Sequence, residues 1–160
     1  MTGVQTCALP IYSVPTSLTV GPDGAYYVGE LTGVPFTAGS ANIYRLDPAT
    51  DVVPHIYTLD EAFLTGFKNI IDIAFADDGT LYVLQYATGL TGMPGPGVLI
   101  QVVPDMTQSD IRLQYQLGAR STVIANLVEP TSVAIGPDDN LYLSIRGATA
   151  LIGEVIRLPR

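Results

Sequence analysis

The sequence has few charged residues, and few of those are basic. Only 14% of its 160 residues are charged, and 7 Lys and Arg against 15 Asp and Glu leave a net charge of −8. A surface of this sign repels phosphate backbones, so we expect no nucleic acid as a partner. Long apolar runs are also missing. None approaches the roughly 18–20 residues that a membrane-spanning helix needs, and we expect no membrane span.

Cysteine is nearly absent, and its single occurrence lies in an atypical segment. Cys7 falls within Met1 to Ile11, which carries no charge and shares no pattern with the rest of the chain. This segment resembles a translated sequencing-adapter artefact, so we exclude it from fold reasoning. A signal-peptide remnant is disfavoured because a basic first region is lacking. We therefore expect no disulfide in residues 12–160, and we draw nothing from the lack of a targeting signal.

Apolar and turn-forming residues, by contrast, are abundant. Hydrophobic residues make up 48% of the chain, which excludes a disordered tail. The 16 Gly and 12 Pro indicate many tight turns rather than long helices. A length of 160 residues suggests one domain.

A repeat of 55 to 60 residues organises the remainder. Val14–Val28 and Glu129–Leu143 are identical at seven of fifteen positions, and Asn69–Val83 keeps the Asp, Gly and Tyr positions in register. A second pattern recurs downstream of each copy, at Ile43–Leu46, Leu99–Val102 and Val155–Leu158. Two patterns recurring in the same order indicate a repeat architecture.

Each repeat has the period-two alternation of β-strands. Apolar pairs such as Leu18 and Val20 precede an Asp-Gly type turn, and a strand rich in Tyr and β-branched residues follows. The second pattern supplies a third strand, and we predict fourth strands at His55–Leu59 and Ile111–Tyr115. Four short antiparallel strands per repeat predict an all-β fold, a β-propeller built from four-stranded antiparallel blades. A β-sandwich is the alternative, but it requires no long-period self-similarity.

The predicted blades span about residues 14–66, 69–127 and 129–160, and the third has only three strands. This amounts to about two and a half blades, whereas propellers close with about four to eight. We therefore expect an incomplete propeller, a fragment of a longer protein.

One stretch carries a family resemblance. Residues 22–36, with Gly29-Glu30-Leu31-Thr32-Gly33 followed by Pro35-Phe36 as the most specific part, resemble the ScyD/ScyE family of scytonemin-associated, NHL-like propellers. Residues 69–75 resemble the next blade of that family. The resemblance implies an exported protein, periplasmic or extracellular, of about six blades. It supplies no catalytic residues, and a role in scytonemin synthesis does not follow from it.

Tests for catalytic chemistry identify no catalytic residue, metal site or cofactor. In gluconolactonase-type propellers an acidic or amide residue after the strand-leading Pro binds a divalent cation, but Thr16, Ile71 and Thr131 stand here. His55, the sole histidine, is predicted on an outer strand. The hairpin aspartates are typical of turns rather than of calcium sites, and the repeated tyrosines are typical of packing between blades.

Four polar residues remain as candidate ligand-binding residues on the channel face. Glu30, Gln85 and Arg146 follow the second strand of each repeat, and Asp72, which matches Ser17 and Ser132, starts an inner strand. The ends of inner strands rim the channel of a propeller, where ligands bind. The alternative is that these groups form hydrogen bonds with one another or with water.

The sequence favours a non-enzymatic binding or scaffold module for an unknown small molecule or protein. The alternative is a propeller hydrolase or lactonase whose catalytic residues lie in missing blades.

Overall fold

The structure is a computed structural model, and it describes residues 14–32, 39–51, 58–87, 95–148 and 150–160. Met1 to Ile11, the Gly33–Phe36 part of the family resemblance and most of the predicted strand that includes His55 lie outside the described residues.

Eleven strands of the described chain form three antiparallel sheets, each built from strands that are consecutive in the sequence. Sheet 1 contains β1 (Pro15–Val20), β2 (Tyr26–Glu30), β3 (Ala41–Leu46) and β4 (Leu64–Phe67). Sheet 2 contains β5 (Ile70–Phe75), β6 (Leu81–Gln85), β7 (Gly97–Val103) and β8 (Ala119–Leu127). Sheet 3 contains β9 (Ser132–Ile135), β10 (Asn140–Ile145) and β11 (Glu154–Pro159).

The first hairpin of each sheet is closed by the turn that the Asp-Gly pattern predicts. Gly24 and Gly79 take left-handed φ values of 80° and 84°, and Asp139 takes the equivalent position at 59°. The Asp78 carboxylate accepts a hydrogen bond from the Thr80 amide at 2.9 Å, which holds the turn. Glycine adopts this backbone without a Cβ penalty, and aspartate tolerates it better than most residues.

The sheets are layered, with sheet 2 in the middle. Every residue of β6 is buried, because alternate side chains face sheet 1 and sheet 3. Val83 belongs to the core shared with sheet 1, while Tyr82 and Leu84 belong to the core shared with sheet 3. In the first of these cores, Tyr27 packs edge-on against Phe75, with ring centroids 4.8 Å apart.

The fourth strands were predicted at the wrong positions. Ile111–Tyr115 belongs to an α-helix, α1 (Ile111–Gln116), and β8 follows it as the fourth strand of sheet 2. The Asp110 side chain caps α1 by accepting a hydrogen bond from the Leu113 amide at 2.9 Å. In sheet 1, Leu59 opens a 3₁₀ helix, and the fourth strand is β4.

The described chain is thus all-β with antiparallel sheets, as the sequence predicts. Within the described residues, no helix has the length and apolar character needed to cross a membrane.

Candidate functional site

The inner strands of the three sheets, β1, β5 and β9, lie side by side and are joined by hydrogen bonds from polar side chains. The Thr16 hydroxyl of sheet 1 donates to the Ile70 carbonyl of sheet 2 at 2.6 Å. The Asp72 carboxylate of sheet 2 accepts from the Ser132 hydroxyl at 2.7 Å and from the Val133 amide at 2.9 Å, both in sheet 3. We call Thr16, Asp72 and Ser132 the inner-strand face.

Solvent can reach this face. Thr16 and Asp72 are half-buried, and Ser132 is exposed. Register shifts in β1 between Pro15 and Ser17, and in β5 between Ile70 and Asp72, leave Thr16 and Ile71 without a cross-strand partner. Such bulges re-aim side chains, and here they let Thr16 reach the neighbouring sheet.

Glu30 and Gln85 occupy equivalent positions at the ends of β2 and β6, and both are 3% exposed. Glu30 accepts a hydrogen bond from the Asn42 side-chain amide at 2.6 Å. The Gln85 side-chain oxygen accepts from the backbone amide of Lys68, in the link between sheets 1 and 2. Burial, reinforced by the charge of Glu30, raises the pKa of Tyr44. The two residues therefore hold different parts of the scaffold.

Arg146 lies one residue past β10, with a left-handed φ of 58°. Its amide donates to the Val128 carbonyl at 2.8 Å, which anchors the end of β10 to the start of sheet 3. Its guanidinium Nε lies 3.5 Å from a Glu154 carboxylate oxygen. At this distance the pair attracts by charge without forming a normal hydrogen bond. Ile145 stands at the position that corresponds to Glu30 and Gln85.

Among the four predicted site residues, Asp72 is the one whose carboxylate joins two sheets at the inner-strand face. Glu30, Gln85 and Arg146 all lie at or just past the carboxyl end of the second strand of their sheets, but each contacts a different partner. Their joint contact with one ligand stays a prediction.

The opposite ends of the sheets carry a charged network that sequence reasoning missed. The Tyr27 hydroxyl donates to Asp23 at 3.2 Å, and Arg45 pairs with the same carboxylate at 2.7 Å. Asp138, Tyr142 and Arg157 repeat this arrangement in sheet 3. Burial, followed by the charge of Asp23, raises the pKa of Tyr27.

In sheet 2, Gln101 occupies the position of the network arginine, and an arginine of sheet 3 pairs with the aspartate of sheet 2 instead. Arg160 pairs with Asp78 at 3.0 Å and with Asp139 at 2.8 Å. The loss of arginine from one of three otherwise similar repeats was the available sequence signal. A cavity of about 450 Å³ lies beside Arg160, between the first hairpins of sheets 2 and 3. Within the described residues, no group of three or more His, Cys, Asp or Glu side chains is placed to hold a metal ion.

Comparison with solved structures identifies a similar fold. A crystal structure from Thermus thermophilus, described as a proposed oxidoreductase (glucose dehydrogenase), matches 89% of this chain with a TM-score of 0.56 and 18% sequence identity. The likeness is one of fold. It is consistent with a β-propeller-like arrangement of the three sheets. This chain spans 44% of the length of that structure. Neither a family model nor a curated protein matches this chain.

Proposed function

We propose that the chain is part of a β-propeller that binds a small hydroxylated or amine-bearing molecule at the inner-strand face. The observation that carries this proposal is the half-exposed Asp72 carboxylate, which the Ser132 hydroxyl and the Val133 amide hold in place. A ligand group that meets a carboxylate already fixed by two donors does not have to order it, so less affinity is lost on binding.

The hydrogen-bonding capacity of the face indicates the class of ligand. Thr16 and Ser132 spend their hydroxyl protons on the Ile70 carbonyl and on Asp72, so their oxygens can only accept from a ligand. Asp72 has about four acceptor positions, and the three hydrogen bonds from Ile73, Ser132 and Val133 leave one for a ligand. A face of acceptors on a chain of net charge −8 favours neutral or cationic donors over anions.

The rest of the proposal follows the family resemblance. We propose an exported propeller of the ScyD/ScyE type, periplasmic or extracellular, in which Glu30, Gln85 and Arg146 extend the ligand site around Asp72. Cell fractionation that recovers the native protein with cytoplasmic markers would contradict this location.

A second candidate function is enzymatic. The similar solved structure is described as a proposed glucose dehydrogenase, which favours a propeller enzyme, either an oxidoreductase or the lactonase alternative. The two functions make different predictions for one set of probes. A binding module retains glucose and glucono-lactone unchanged, whereas an enzyme oxidises the first in the presence of an electron-accepting dye or hydrolyses the second.

Calorimetric titration with D-glucose tests the binding proposal. Asp72→Asn keeps the shape of the side chain but removes its charge, so we expect the affinity to fall by about tenfold, which corresponds to about 1.4 kcal/mol. Asp60→Asn is the matched control, because Asp60 is an exposed aspartate of the 3₁₀ helix (Leu59–Glu61) and lies outside the inner strands. Equal affinities for all three proteins would contradict a role for Asp72.

A further inference from the structure

A second cavity, of about 220 Å³, lies beside α1 and between the first hairpins of sheets 1 and 2. Sheet 1 contributes Pro22 and Asp23 to its lining, and sheet 2 contributes residues 77–79. We call it the α1 cavity. Tyr115 belongs both to this lining and to the core that sheets 1 and 2 share. The α1 cavity therefore lies where two consecutive sheets pack against each other within the chain.

The part of the lining that comes from α1 and the segment before it is largely apolar. Pro104 and Met106 lie between β7 and α1, Ile111 begins the helix, and Tyr115 follows one turn later. Ile111 and Tyr115 share one side of the helix because they are four residues apart, and this side packs on the core. Met106 is 72% exposed. An apolar ligand group placed against these side chains would be removed from water, which favours binding.

The two hairpins bring three aspartates to the α1 cavity, and two of them already have an arginine partner. Asp23 pairs with Arg45 at 2.7 Å, and Asp78 pairs with Arg160 at 3.0 Å. Asp77 makes no hydrogen bond or ion pair with any residue that the structure describes. One negative charge is therefore left uncompensated beside an apolar lining.

The other polar side chains of the α1 cavity have already used donors within the protein. The Gln114 side-chain nitrogen donates to the Gln108 carbonyl at 2.8 Å, and the Tyr115 hydroxyl donates to the Gly79 carbonyl at 2.5 Å. Both side chains line the cavity. Their oxygens, like those of a carboxylate, can only accept a hydrogen bond from a ligand.

We propose that the α1 cavity binds a small alkylammonium ion, with the ammonium group against Asp77 and the alkyl chain against Met106 and Ile111. An ammonium group carries three donors and no acceptor, which suits side chains that offer only acceptors. The cavity is smaller than the roughly 300–1,000 Å³ of a drug-sized site, so the alkyl chain must be short. This site is separate from the inner-strand face, because Asp77 follows the end of β5 whereas Asp72 lies near its start.

Titration of the ¹⁵N-labelled protein with n-butylammonium chloride tests this proposal. At about pH 7 an alkylamine is protonated, and about 150 mM salt screens non-specific attraction to a chain of net charge −8. We expect saturable shifts at the amides of Asp77, Gly79 and Tyr115. Asp77→Asn should lower the affinity read from these amides by about tenfold, and Asp60→Asn, the matched control, should leave it unchanged. n-Butanol, which has the same chain without the charge, should give no saturable shifts there.

Two further comparisons separate the α1 cavity from charge attraction alone and from the inner-strand face. Ammonium chloride, which lacks the alkyl chain, should bind at least about tenfold more weakly than n-butylammonium. Asp72→Asn should leave n-butylammonium binding at the α1 cavity unchanged, although it should lose affinity for D-glucose. Absence of saturable shifts in the wild type, equal affinities for the wild type and Asp77→Asn, or equal affinities for ammonium and n-butylammonium would overturn the proposal.

Discussion

The packing of the Tyr27 ring on Gly21 gives the sharpest stability prediction. A Cβ added at Gly21 would lie 2.1 Å from Tyr27 Cε2, whereas carbon atoms in ordinary contact are about 3.5–4.0 Å apart. The ring is fully buried, it packs edge-on against Phe63 and Phe75, and its hydroxyl donates to Asp23. Gly21→Ala must therefore push the ring out of all three contacts.

The expected cost follows from these contacts. Overpacking a core costs about 1–3 kcal/mol, and each displaced aromatic pair adds about 0.5–1.5 kcal/mol. We expect Gly21→Ala to lower the free energy of unfolding by about 3 kcal/mol.

The third repeat provides the control. Gly136 is equivalent to Gly21, and a Cβ there would lie 2.5 Å from Tyr142 Cε2. Because Tyr142 is only half-buried, its ring can swing towards solvent, and we expect Gly136→Ala to cost less than about 1 kcal/mol. Urea unfolding followed by circular dichroism measures both changes. Equal losses for the two variants would refute the reasoning.

Two further predictions concern the hairpin of sheet 2. Burial raises the pKa of Tyr115 to about 12, and the buried hydroxyl donates a hydrogen bond to the Gly79 carbonyl at 2.5 Å. Because Tyr115→Phe removes this hydrogen bond, we expect the free energy of unfolding to fall by about 1–2 kcal/mol in the same assay. An unchanged stability would show that water replaces the hydroxyl. The hydrogen bond from the Thr80 amide, followed by side-chain contacts that include Arg160, lowers the pKa of Asp78. The contribution of the Asp78 carboxylate to stability should therefore be complete above about pH 4 and be lost as the pH falls further. Melting temperatures that fall equally with acid in the wild type and in Asp78→Asn would contradict this.

The sequence predicted the first three strands of each sheet because their signals are local. Alternation in β1, the Asp-Gly turn and the Tyr-rich β2 require no knowledge of distant residues. The fourth strands failed for a different reason. Ile111–Tyr115 alternates apolar and polar residues as a strand does, but Ile111 and Tyr115 also lie four residues apart, which suits one face of a helix. The Asp110 side chain stabilises the helix by accepting a hydrogen bond from the Leu113 amide. An Asp directly before such a segment is a helix-start signal that the sequence contains.

The candidate site was less predictable because its contacts cross between sheets. Asp72 was selected as polar at the start of an inner strand, but the sequence does not show that it accepts hydrogen bonds from Ser132, 60 residues away. Thr16 was considered only as a poor metal ligand, and its link to Ile70 depends on a bulge with no clear sequence signal. The repeat shows from the sequence which residues occupy equivalent positions. The contacts between repeats are known only once the sheets are packed against one another.

A donor-bearing small molecule bound at the inner-strand face should change the environment of single backbone amides there. Titration of ¹⁵N-labelled protein with D-glucose, followed by amide chemical shifts, measures this change. We expect saturable shifts concentrated at the amides of Asp72, Ser132 and Val133, and their loss in Asp72→Asn. Absence of saturable shifts at these amides, or shifts confined to the Arg160 cavity at the other end of the sheets, would contradict binding at the inner-strand face.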